Sequence, residues 1–139
     1  MRKKRTRIII LISFAIILVV LSCIFFRKYS LIQLVTNSEE IDYIYIMNNN
    51  TGDIHEVREY KSIQDIKEFF SSIRCRRRID IIDKLSGGFT YAFTLVDKLG
   101  NEQKIVFIGN KVKVNGKYYS IVDKSVDVET FIETLNVFW

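Results

Sequence analysis

From Ile8 to Phe26 the chain runs 19 residues without a charge. As a helix this segment is about 28 Å long, close to the roughly 30 Å hydrocarbon core of a bilayer. A buried helix of a soluble protein rarely extends so far without a polar stripe. Arg2, Lys3, Lys4, Arg5 and Arg7 precede it, and Arg27 and Lys28 follow. The positive-inside rule therefore predicts a cytoplasmic tail at 1–7, a transmembrane helix or signal-anchor at 8–26, and everything after it outside the cytoplasm. The expected location is the cell membrane, with the protein attached through residues 8–26.

Three fates compete for this segment. The apolar run exceeds the usual signal-peptide core of about 7–15 residues, and no A-x-A-like site follows, which favours an uncleaved signal-anchor. Val20-Leu21-Ser22-Cys23 is similar to a bacterial lipobox, making lipidation at Cys23 the alternative. Against it, Leu21 is bulky and Ile24-Phe25-Phe26 prolong the apolar run. Cleavage near Ser22 is the third. Without any of these chemistries, Cys23 is a small apolar residue in a helix.

The anchor also explains the charge. A net of +5 and a pI of about 9.2 invite a nucleic-acid reading. Seven of the 21 basic residues flank the apolar run, leaving 14 against 16 acidic ones beyond it. The remainder of the chain is close to neutral, so no nucleic-acid partner is expected.

Residues 27–40 read as a connector. Leu31, Ile32, Leu34 and Val35 have helical spacing and predict that the anchor helix continues a few turns. An extracytoplasmic domain is expected over 41–139. Ile41–Asn48 and Ile54–Tyr60 are β-rich segments around a turn cluster at 48–53, a first hairpin. Ser62 begins a helix, with Asp65 completing a capping-box-like pair. Ile63, Ile66, Phe69, Phe70 and Ile73 form its apolar face. Further strands are expected at 79–85, 89–97, 102–108, 111–114 and 117–122. Asn115-Gly116 marks the tightest of their turns. A last helix spans about 126–136, capped by Ser125 or Asp127, and Val137-Phe138-Trp139 are expected to dock on the core. The order β-β-α-β-β-β-β-β-α after an N-terminal transmembrane helix defines an α+β fold. Its mainly antiparallel sheet is a meander packed with two helices on one face, the other face being more exposed.

The residues offer little chemistry. His55 stands alone as histidine and is expected on a strand surface. No HxH, CxxC, HExxH, GxxxxGK[ST] or GxGxxG pattern occurs, so no metal and no cofactor is expected and the chain reads as not an enzyme. Asp80 and Asp83 are a local carboxylate pair, better explained as solvated edge charges. Asn49-Asn50-Thr51 fits a glycosylation sequon, relevant only in a eukaryotic secretory pathway.

Two features suggest binding. Arg74, Arg76, Arg77 and Arg78 surround Cys75 just after the first domain helix. They suit contact with a phosphate, a carboxylate or lipid headgroups, and would lower the Cys75 thiol pKa. The simpler reading is a solvated loop whose cations favour the helix C-terminus. Tyr43 and Tyr45 alternate onto one strand face, a candidate aromatic surface, though such residues more often pack within a sheet.

The basic N-terminus, single anchor and domain of about a hundred residues resemble small exported proteins of Gram-positive bacteria. Val114-Asn115-Gly116-Lys117-Tyr118-Tyr119-Ser120-Ile121 is similar to the NGKYY hairpins of such domains. The resemblance implies envelope location and carries no activity. The expected function is a non-catalytic protein-interaction module of the cell envelope, with an envelope protein as partner. The alternative is an envelope domain or lipoprotein binding an anionic ligand or lipid through its arginine-rich segment.

Overall fold

The computed structural model describes residues 2–78, 90–122 and 126–135. Among these, α1 (Arg2–Phe26) is a continuous helix whose segment from Arg5 to Phe26 has the length and composition to cross a membrane, as an anchor or a signal sequence would. Its side chains from Ile8 to Val20 are exposed.

The helix stops at Phe26 and does not continue into the connector. The chain turns at once into β1 (Lys28–Ser30), then a 3-10 turn at Leu31–Leu34 and another at Ser38–Glu40. The helical spacing in this segment serves a different purpose. Leu31 and Val35 are buried in the domain core, and the Leu31 N–H donates to the Ile73 carbonyl at 2.9 Å. Gln103 pins the next stretch: its Oε1 accepts from the Thr36 N–H at 2.7 Å, and its Nε2 donates to the Thr36 carbonyl. Residues 27–40 are thus an edge of the domain and not a free connector.

The remaining elements are β2 (Ile41–Asn48), β3 (Ile54–Val57), α2 (Tyr60–Ser72), β4 (Arg74–Arg77), β5 (Tyr91–Asp97), β6 (Glu102–Ile108), β7 (Lys111–Val114), β8 (Lys117–Ile121) and α3 (Val128–Thr134). The strands form one antiparallel sheet in the order β1-β4-β8-β7-β6-β5-β2-β3. β5 to β8 are the expected meander. The β2–β3 hairpin adds to one side of it, and β4 crosses to the other side beside β8. The arginine-rich segment is therefore a strand rather than a solvated loop. The expected strand at 79–85, with Asp80 and Asp83, and the closing residues 137–139 lie outside the described residues.

The α+β, two-layer reading holds. Ile63, Ile66 and Phe70 of α2 are buried, as are Val128 and Ile132 of α3. Phe70 meets Phe93 edge-on at 5.2 Å, and Phe69 stacks on Phe131 at 3.9 Å. Both helices cover the sheet face carrying Ile44, Ile46, Phe93, Leu95, Ile105, Val112 and Cys75. α2 begins two residues before Ser62, with Glu59 at its N-cap, and the Ser62 hydroxyl donates to Glu59 Oε2 at 2.9 Å. α3 is capped as expected: Asp127 Oδ1 accepts from the Thr130 N–H at 3.0 Å. At the β7–β8 turn both Asn115 (φ 47°) and Gly116 (φ 86°) are left-handed, as a tight primed hairpin turn requires.

Candidate functional site

The helices leave the second face of the sheet open, and charge is segregated between the strands of the two halves of the sheet. β1, β4, β7 and β8 carry Lys28, Arg74, Arg76, Arg77, Lys111, Lys113 and Lys117 and no acidic residue. β2, β3, β5 and β6 carry Asp42, Glu56, Asp97 and Glu102 against a single Lys104. A near-neutral total hides two halves of opposite character, and the cationic half adjoins the end of α1.

Register sharpens this. Lys28 pairs with Arg76, Arg76 with Ser120, and Ser120 with Lys111, so three cations share one row across four strands. Like charges directly opposite one another destabilise a sheet. An anion placed on the row would relieve that repulsion. Neighbouring contacts hold the cations in place. The Arg76 guanidinium sits over the Phe26 ring at 5.4 Å, and Lys113 Nζ over the Tyr118 ring at 4.8 Å. Arg78 Nη1 donates to Ser120 Oγ at 3.4 Å.

The four sequence-selected arginines are not one clamp. Alternation places Arg74 and Arg76 on the open face, with Arg77 on the side of Cys75. Cys75 itself is fully buried, its Sγ donating to the Tyr29 carbonyl at 3.5 Å, which suits packing and not surface redox chemistry. Burial raises the pKa of Tyr119, the cross-strand partner of Arg77. Cys23 is exposed on α1. His55 is half-buried at the β3 edge, opposite Ile46. No cluster of three or more metal-ligating side chains occurs among the described residues.

The far half of the open face holds the tyrosines. Tyr43 and Tyr45 meet edge-on at 5.3 Å, confirming their shared face. Sequence reasoning missed their partners. The Arg58 guanidinium lies 4.2 Å from the Tyr43 ring centre, pairs with Glu56, and approaches Asp42 at 3.9 Å. Glu56 lies opposite Tyr45. Its carboxyl is held below the usual range, first by the Arg58 hydrogen bond, while the Tyr45 phenol is pushed up, first by its hydrogen bond to Glu56. The alternation of Glu56 and Arg58 was the available signal. Beside them Tyr45, Met47, Ile54, Ala92, Thr94, Glu102 and Lys104 line a shallow groove of about 300 Å³.

No family model, curated protein or solved structure matches this chain.

Proposed function

We propose that the protein is a non-catalytic, single-pass binding module of the cell envelope. α1 spans the membrane, the basic tail stays in the cytoplasm, and the sheet domain works outside. The domain rests its cationic half on the anionic membrane surface and offers the tyrosine half of its open face to an envelope protein.

The cross-strand row Lys28–Arg76–Ser120–Lys111 beside the end of α1 carries this reading. Basic side chains near an anionic surface contribute about 1 kcal/mol each. A row of them within a few residues of an apolar helix end therefore orients the domain and does not merely tether it. The opposite half has Tyr45 in a groove, with Tyr43 against it and both charges among the lining residues, features suited to a protein surface.

A photoreactive amino acid at position 45 of the full chain in its native membrane should give a discrete crosslinked protein. The same group at Glu68, exposed on α2, should not. No adduct at position 45, or identical adducts from both, overturns the partner reading. A reporter fused after Trp139 that is active only in the cytoplasm overturns the orientation.

A further inference from the structure

A cleft of about 360 Å³ lies between the last turn of α1 and the β7–β8 turn. Ile24 and Phe25 supply an apolar wall, and Arg77, Arg78 and Lys117 line it with cations. Among the described residues no acidic side chain lines it.

The two walls make different demands. The apolar wall is the end of the uncharged run that begins at Ile8, so hydrocarbon entering here continues along the helix. The cations stand where that run gives way to polar residues. A free phosphate answers the cations and leaves the apolar wall wet. A neutral apolar ligand does the reverse and leaves the exposed charges of Arg77 and Lys117 unanswered. One molecule with a phosphate at the head and hydrocarbon behind it satisfies both.

The cations are also arranged for a phosphate. The Arg78 N–H donates to the Tyr118 carbonyl at 3.1 Å and its Nη1 to Ser120 Oγ, which holds its planar fork in place. Arg77 and Lys117 are exposed, leaving their heads able to close on a ligand. In the adjoining seam, Arg76 Nε is buried over Phe26 with no acceptor among the described residues.

We propose that this cleft holds the phosphate headgroup of an anionic phospholipid, with its acyl chains lying along α1. The inference rests on the reading of α1 as a membrane span and names the ligand of the cationic half.

The test uses the full chain in nanodiscs of equal phosphatidylglycerol and phosphatidylcholine, followed by native mass spectrometry of the lipids retained on release. The protein should keep phosphatidylglycerol in clear preference to phosphatidylcholine. Arg77→Gln with Lys117→Gln should lower that retention about tenfold or more, each basic group near an anionic surface contributing about fivefold. Lys61→Gln with Lys98→Gln removes the same charge away from the cleft, at two exposed positions, and should change nothing. Equal retention of both lipids by the unaltered chain overturns the proposal, as does equal loss from both double variants. Displacement of the lipid by excess inorganic phosphate assigns the cleft to free phosphate and also overturns it. Nanodiscs expose both faces, so this result is independent of orientation and of any protein partner. Lost lipid preference with a crosslink at position 45 intact defeats only the cleft.

Discussion

The guanidinium of Arg76 lies 5.4 Å from the centre of the Phe26 ring, joining the last residue of the apolar helix to the middle of a cationic strand. This contact links the end of α1 to β4. A cation over an aromatic ring at an exposed site is worth about 0.5–1 kcal/mol. Phe26→Ala should accordingly raise the rate of tryptic cleavage at Arg27 and Lys28 by about two- to fivefold in detergent-solubilised protein. Unchanged cleavage would mean that β1 alone fixes the junction.

The core depends on Phe70. It is wholly buried between Phe93 and Phe107, with ring centres at 5.2 and 6.3 Å. Truncating such a side chain removes buried area and leaves a cavity. Phe70→Ala should cost about 3–5 kcal/mol. Leu99 is 80% exposed in the β5–β6 turn, and Leu99→Ala should stay within about 0.5 kcal/mol. Urea unfolding of both variants in the same micelle checks the contrast.

Legibility in the sequence followed the range of the interactions. Ile63, Ile66 and Phe70 declare α2 because a helix face is written in residues three and four apart. Asn115-Gly116 declares its turn because the constraint is local. β1 and β4 were hidden because their partners are remote: Cys75 pairs with Ile121 and Tyr29, and only Cys75 among the four residues of β4 is buried. A basic tetrapeptide with one buried position reads locally as a loop. The same limit applied to the site. Period two placed Tyr43 and Tyr45 together, whereas the row of Lys28, Arg76 and Lys111 exists only through long-range register.

Acid sensitivity should centre on Asp97. The Asn101 amide donates to its Oδ2 at 2.8 Å, and the Asn101 and Leu99 N–H groups each donate to Oδ1 at 2.9 Å. The Asn101 side chain, then these backbone donors, hold its carboxyl below the ordinary carboxylate range. A pKa lowered on folding gives stability that is present above the unfolded value, about 3.9, and is lost as pH falls through the folded value. Asp127, lowered first by the Thr130 N–H, acts in the same direction. Asp97→Asn should be less stable than the parent at neutral pH and lose less on acidification. Parallel pH profiles of the urea midpoint for the two proteins would rule this out.

The alkaline side should be set partly by Tyr45. Its phenol is pushed above the ordinary value of 10.0, first by the hydrogen bond to Glu56 and next by desolvation. A tyrosine pKa raised on folding contributes stability that is fully present below the unfolded value and is lost as pH rises through the folded one. Glu56→Gln removes the carboxylate charge that disfavours the phenolate, so Tyr45 should titrate closer to 10.0 and the alkaline loss attributable to it should shrink. Arg58 would lose its Glu56 partner but keep the Tyr43 ring at 4.2 Å and Asp42 at 3.9 Å, so the aromatic pair should stay in place. Ultraviolet titration of Glu56→Gln against the parent, with Tyr45→Phe identifying the band, checks the shift. If the Tyr45 midpoint is unchanged in Glu56→Gln, the hydrogen bond does not govern this phenol.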